Sequence, residues 1–107
     1  MVKIKKEKSQ SKPDVAWNHP GGKFRRAGPG SCSEAELLAI ILGSGSRGKS
    51  AEQIAGVILG KYGTISDLMC VSLKELMTVK GLKEVKATQI AAVFEVARRI
   101  VKYLEKE

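Results

Sequence analysis

The sequence predicts an all-α fold, a compact bundle of about five short helices. Motifs that cap helices precede apolar runs, glycines follow those runs, and the apolar residues near the C-terminus recur with a period near 3.6. No segment alternates apolar and polar residues for long, so we predict no sheet. With 107 residues the chain fits one small domain and is too short for a large α/β enzyme with a cofactor cleft.

The first two predicted helices each begin with a capping box and end at a glycine. Residues 33–36 read Ser-Glu-Ala-Glu, in which a hydroxyl and a glutamate satisfy free backbone N–H groups, and Gly43 follows the apolar run. Residues 50–53 form a second box, Ser-Ala-Glu-Gln, and the helix that it opens ends near Gly63.

Three further helices are predicted. A short one holds the apolar residues of 65–69, and a third capping box at 72–75 opens another helix, which Gly81 breaks. The last helix covers about residues 84–106. Helix, glycine turn and helix therefore occur twice, around Gly43 and around Gly81, and this order leaves open whether one structural unit is doubled.

Positive charge is concentrated in the N-terminal segment. The formal net charge is +8; residues 1–31 hold eight Lys and Arg against two acids, whereas residues 32–107 hold eleven against nine. Residues 1–32 are rich in Lys, Ser, Gly and Pro and bury too little apolar surface to offset chain entropy. We predict a basic, largely flexible segment at 1–32 and a helical domain at 33–107. The basic balance indicates a polyanionic partner.

Cysteine and histidine usage predicts a reducing compartment and no metal site. Cys32 and Cys70 lie too far apart for a zinc-ligand spacing and are interpreted as reduced thiols of a cytoplasmic protein. His19 has no carboxylate or second ligand beside it and is interpreted as a solvated loop residue. We therefore predict no catalytic residue, no cofactor and no enzymatic activity. No secretory signal or membrane span is recognisable, so no membrane partner is predicted.

Residues 76–87 resemble a helix-hairpin-helix motif. An apolar helix end meets a turn at Gly81 and a second helix, which directs backbone N–H groups and a helix N-terminus at a phosphate. Lys80, Lys83 and Lys86 add positive charge, and contacts of this kind position a protein on DNA without reading its sequence. Lys83 stands where the motif usually has a second glycine. The alternative is an ordinary helical hairpin in which Gly81 only ends a helix.

Residues 43–50, Gly-Ser-Gly-Ser-Arg-Gly-Lys-Ser, satisfy the Walker A pattern but lack its context. A P-loop follows a strand and works with an aspartate on a second strand, whereas a capped helix is predicted before this loop. Nucleotide hydrolysis is therefore not predicted. Gly45, Arg47, Lys49 and Ser50 form a second candidate set for DNA-phosphate contacts, and the alternative is a plain connection between helices.

The combination of these segments resembles the N-terminal part of the RadC family, whose members are associated with DNA repair. The resemblance rests on residues 19–29, 33–42, 45–50 and 91–99 together with the hairpin, and it covers about residues 19–103. It implies a helix-hairpin-helix fold and a role with DNA.

The sequence departs from the family at its start and in its length. Gly21-Gly22 replaces a pair that is usually charged, and His19 replaces a common arginine. Family members continue into a metalloprotease-like domain with a His-x-His zinc motif, which this sequence does not contain. No metal site is therefore carried over from the family, and the resemblance implies that domain as a partner.

Together these observations predict a non-catalytic module that binds DNA weakly through its phosphates, without sequence preference. The alternative is a protein-interaction module that docks on the metalloprotease-like domain or on another partner. Salt distinguishes the two, because phosphate binding weakens steeply as salt is added whereas an apolar docking surface is less sensitive.

Overall fold

The computed structural model describes residues 19–46 and 48–106, and the chain divides into two units between Ser33 and Glu34. The α-helices are α1 (Pro20–Ala27), α2 (Glu34–Leu42), α3 (Ala51–Tyr62), α4 (Leu73–Leu76) and α5 (Glu84–Glu105). Pro29–Ser31 and Ser66–Cys70 form short 3₁₀ helices. The described residues contain no strand, only an isolated bridge between Ser46 and Lys49. The all-α prediction is confirmed.

Helix α1 lies in the first unit, where the sequence predicted a largely flexible segment without a helix. The imidazole Nδ1 of His19 accepts a hydrogen bond from the Gly21 N–H at 3.4 Å, and Pro20 supplies a preset φ at the first helical position. The helix ends at Gly28, whose φ is +91° and whose N–H donates to the Phe24 carbonyl. These caps offset the low helix propensity of the glycine pair. Residues 1–18 lie outside the described part of the chain.

The second unit opens with α2 and α3, which pack extensively on each other. Helix α2 ends at Gly43, whose φ is +79° and whose N–H donates to the carbonyls of Ala39 and Ile40. Helix α3 begins with the predicted capping box, since the Ser50 hydroxyl accepts the Gln53 N–H and the Gln53 side chain accepts the Ser50 N–H. Both predicted boundaries are confirmed.

The second half of this unit repeats the order helix, turn and helix. After Ser66–Cys70, Ser72 caps the one-turn helix α4 by accepting the Glu75 N–H at 3.1 Å. A turn over 77–83 leads into α5, which packs on α2, α4 and the 3₁₀ helix. Among the described residues no helix is long and apolar enough to cross a membrane.

One apolar core joins the four helices of the second unit. Its members are buried hydrophobic residues from every helix and from the turn before α5: Leu38, Ala39, Leu42, Ala51, Ile54, Ala55, Ile58, Leu68, Leu76, Val79, Leu82, Ala87, Ile90 and Phe94. Val79 and Leu82 belong to the core, so the turn between them is held at both ends by burial. Helix α5 contributes only residues from its first three turns, the last being Phe94.

Candidate nucleic-acid interface

The turn at Gly81 is a tight four-residue turn. The Leu82 N–H donates to the Val79 carbonyl at 3.0 Å, and Gly81 lies at φ +90° in the third position, where glycine is favoured. The side chains of Val79 and Leu82 are buried, so the two ends of the turn are anchored in the core. Lys80, which lies between them, is exposed. The glycine requirement that the sequence indicated is therefore real, whatever the turn binds.

The N-terminus of α5 follows this turn directly. Lys83 occupies the N-cap position with φ −96° and ψ −179°, an extended conformation that any residue adopts, so the absent second glycine causes no backbone strain. Among the described residues no side chain caps this helix, whereas Ser50 and Ser72 cap α3 and α4. The first N–H groups of α5 point along its axis without intrahelical acceptors. Glu84, the first helical residue, places one carboxylate beside them.

Phosphate binding by Lys86 would require its ammonium to be free in solvent, but the side chain is directed into the fold. Its ammonium Nζ donates to the Leu42 carbonyl at 2.7 Å and to the Ser44 hydroxyl at 3.1 Å, and the side chain is half-buried. A cation at the C-terminus of α2 satisfies a carbonyl and interacts favourably with the helix dipole. The Lys86 ammonium is therefore bound within the fold, because the end of another helix lies within its reach.

The Gly43–Ser50 loop is closed by its own backbone. Ser46 and Lys49 exchange two N–H to carbonyl hydrogen bonds of 3.0 Å, and the Ser50 hydroxyl and N–H are engaged in the capping box. A Cβ at Gly45 would lie 2.0 Å from the Lys49 carbonyl oxygen, so only glycine fits there. Arg47, the remaining residue of the predicted second set, lies outside the described residues.

The turn and the loop lie against each other. A Cβ built on Gly81 would lie 3.5 Å from the Ser46 hydroxyl oxygen and 3.4 Å from Cγ1 of Ile54. The bond from Lys86 to Ser44 makes a second contact between the same two segments. The structure therefore brings the two predicted candidate sets together, although they are separated by about thirty residues in sequence.

Lys61 joins this region and was not among the predicted residues. It lies near the end of α3, and its Nζ donates to the Thr78 hydroxyl at 3.4 Å while the side chain remains exposed. Its position could not be read from the sequence, because the contact links α3 to the turn after α4, 17 residues further along the chain. We call Ser46, Lys49, Lys61, Lys80, Gly81 and Lys83 the hairpin surface.

The family can now be stated from sequence comparison. The family model described as UPF0758 N-terminal matches residues 16–88, about two thirds of the chain. The chain belongs to this family.

Relatives of this UPF0758 N-terminal domain come from bacteria and archaea. This chain is 40% identical over 80 residues to a UPF0758 protein of Methylibium petroleiphilum. It is 42% identical over 86 residues to one of Methanosarcina mazei and 36% identical over 104 residues to one of Methanosarcina barkeri. These matches cover 75%, 80% and 97% of this chain but only 36%, 37% and 44% of the relatives. The chain thus spans about two fifths of their length. No solved structure matches it.

In this UPF0758 N-terminal domain the Walker-like loop lies in a setting unlike a P-loop. Helix α2, not a strand, precedes it, and the N–H groups of Ser46 and Lys49 are directed at carbonyl oxygens of the loop itself. In a P-loop the corresponding backbone groups cradle phosphates. The helical context that the sequence predicted is confirmed, and the absence of nucleotide hydrolysis stays a prediction.

Proposed function

We propose that this domain binds the phosphate backbone of DNA through the hairpin surface, without sequence preference and without catalysis, as one module of a longer RadC-like protein with a role in DNA repair. The observation that carries the proposal is the contact between the Gly81 turn and the Ser46–Lys49 loop. That contact brings the loop of Lys49 against the turn of Lys80 and Lys83, which precedes an uncapped helix N-terminus, and the bond from Lys61 to Thr78 adds a lysine from α3.

The charges of the hairpin surface suit a polyanion. Lys61, Lys80 and Lys83 are exposed and Lys49 is half-exposed, while Glu84 adds one opposing carboxylate. Lysine side chains contact phosphates as point charges and place no constraint on the bases. The N–H groups of the first turn of α5 add a small attraction for an anion, about 0.3–1 kcal/mol.

Lys86 has a different part in the proposal. It holds the loop against the first turn of α5 through Leu42 and Ser44, so it positions the hairpin surface and does not contact DNA. Among the lysines, the contacting set therefore loses Lys86 and gains Lys61, and it still has four members. If all four lysines contact phosphate, the slope of log affinity against log salt is about −3 to −4.

A charge-reversal pair tests the proposal in the full chain. We expect the double variant Lys80→Glu and Lys83→Glu to lose two phosphate contacts, which lowers duplex affinity about 30–100-fold near 0.1 M salt and flattens the salt slope by about two units. The measurement is fluorescence anisotropy of several short duplexes of unrelated sequence. All of them should lose affinity by about the same factor.

The matched control is the double variant Lys102→Glu and Lys106→Glu. Both lysines are exposed at the far end of α5, and the change in net charge is the same. The basic N-terminal segment is intact in both proteins, so its own affinity for DNA cancels in the comparison. Equal affinities and equal salt slopes for the two double variants would rule out the hairpin surface as the DNA contact.

A further inference from the structure

The C-terminal half of α5 carries an apolar face that the described residues leave uncovered. Val96, Ile100, Tyr103 and Leu104 are each 54–64% exposed, and Val93 and Val101 are about two fifths exposed. We call these six residues the α5 face. Single exposed apolar side chains are ordinary, but six within twelve residues of one helix form a contiguous patch of the kind that marks interaction sites.

Apolar and charged residues are cleanly separated around this part of the helix. At about 100° per residue, the α5 face covers an arc of about 160°. The charged residues fall on the opposite side: Glu95, Arg98, Arg99, Lys102, Glu105 and Lys106. Two of them form ion pairs with a third along the helix, Arg98 and Arg99 with Glu95. The polar side therefore has the features of a solvated surface, while the apolar side has the features of an interaction surface.

The exposed half of α5 extends beyond the bundle. Phe94 is the last buried residue, and the bond from Arg98 Nη2 to the Met69 carbonyl at 3.1 Å is a contact with the bundle just beyond it. From Phe94 to Glu105 the helix rises about 16 Å. Helix ends that bury no apolar face gain little from packing and fray, since most helical stability in proteins comes from tertiary contacts.

We propose that the α5 face is the docking surface for the region that follows this N-terminal domain in the longer UPF0758 proteins. The family model that matches is the N-terminal one, and the Methanosarcina barkeri relative aligns with 97% of this chain over only 44% of its own length. More than half of that relative therefore lies outside the matched segment, and the N-terminal description of the family model favours its lying after that segment. The α5 face is on the element closest to where that region begins.

The size and width of the face favour this occupant over a second copy of the chain. Six side chains about half exposed offer roughly 500–600 Å² of apolar surface, which is less than the about 800 Å² that each free partner buries in a stable complex. A tethered region needs less, because its effective concentration reaches about the millimolar range. An arc of about 160° is also wider than the narrow seam of a two-helix coiled coil. It fits a globular partner.

Hydrogen exchange in two chimeras tests this inference, independently of DNA binding. Each chimera joins the full chain to the region that follows the matched segment in the relative from Methanosarcina barkeri or from Methanosarcina mazei. We expect the amides of residues 96–105 to exchange at least tenfold more slowly in a chimera than in the chain alone, while core amides of α3 stay unchanged. Two different grafted regions are used so that the test can still be made if one of them does not fold.

Variants on the two sides of α5 identify the surface. The double variant Ile100→Glu and Leu104→Glu should remove the added protection, whereas Lys102→Glu with Lys106→Glu on the polar side should keep it. The proposal would be overturned if the amides of residues 96–105 exchanged as fast in the chimeras as in the chain alone, while the amides of the grafted regions were protected from exchange. It would also be overturned if the chain alone sedimented as a dimer that the Ile100 and Leu104 changes dissociate, since a second copy would then occupy the face.

Discussion

Replacing Lys86 by methionine tests whether this side chain is a structural tie between α5 and the end of α2. Methionine keeps the length and helix propensity of the residue but removes the ammonium. A hydrogen bond from a charged donor contributes about 1.5–3 kcal/mol, and a cation at a helix C-terminus adds about 0.3–1 kcal/mol. The Leu42 carbonyl still accepts the Ser44 N–H at 2.9 Å, so it is not left unsatisfied. We therefore expect a loss near the lower end, about 1.5 kcal/mol.

Urea and thermal denaturation measure this loss. For a domain of this size, about 1.5 kcal/mol corresponds to a fall in Tm of about 6–12 °C. Lys83→Met is the matched control, because Lys83 is exposed and its side chain makes no cap at the helix start, so its free energy of unfolding should change by less than about 0.5 kcal/mol. If the two variants unfold with the same free energy, the bonds from Lys86 to Leu42 and Ser44 do not stabilise the fold, and the reasoning is refuted.

Three glycine substitutions give further expectations, all measured by urea denaturation. Gly81→Ala should lower the free energy of unfolding by about 1–2 kcal/mol, because an L-residue is strained at φ +90°; an unchanged midpoint would contradict the turn. Gly45→Ala should cost more than about 2 kcal/mol, since its Cβ would lie 2.0 Å from backbone at Lys49; a neutral result would mean that the loop is not closed as described. Gly60→Ala should raise stability by about 0.5–1 kcal/mol, because Gly60 is helical and exposed with open space around it, and a loss would contradict that setting.

Helix boundaries that depend on residues close in sequence could be predicted. The start of α3 at Ser50 and the ends of α2 and α3 at Gly43 and Gly63 are set by bonds that span three or four residues. Helix α4 is shorter than predicted because the chain turns after Leu76 to bury Val79 in the core. That burial depends on the other helices and has no local signal.

The start of α1 shows the opposite case. Two glycines at 21–22 argue against a helix by propensity, yet Pro20 and the imidazole of His19 cap it. Histidine is a rare N-cap, so the pattern Ser, Thr, Asp or Asn does not find it. The helix could have been found only by asking what the lone histidine does locally.

The candidate site was predictable only in part, for a similar reason. The turn at Gly81 could be predicted because turns with a positive φ favour glycine. Lys80 and Lys83 could be predicted as part of the site because they lie beside Gly81 in the sequence. The internal bonds of Lys86 and the position of Lys61 could not be predicted, since their partners are 44 and 17 residues away. A run of lysines near a turn shows how much charge is present, but only the tertiary contacts decide which ammonium groups are free for a ligand.

The two proposed surfaces lie on one helix, and this has a consequence for the longer proteins. Lys83 and Ile100 are 17 residues apart, about 26 Å along a straight helix. Lys86 ties the first turn of α5 to the end of α2, and Ala87, Ile90 and Phe94 are buried in the core, so the first three turns of α5 are fixed on the bundle. A region docked on the α5 face would then be held at a fixed distance and orientation from a phosphate backbone on the hairpin surface. In that arrangement α5 acts as a spacer, and weakening its tie at Lys86 should disturb the relative placement of both ligands while leaving each surface intact.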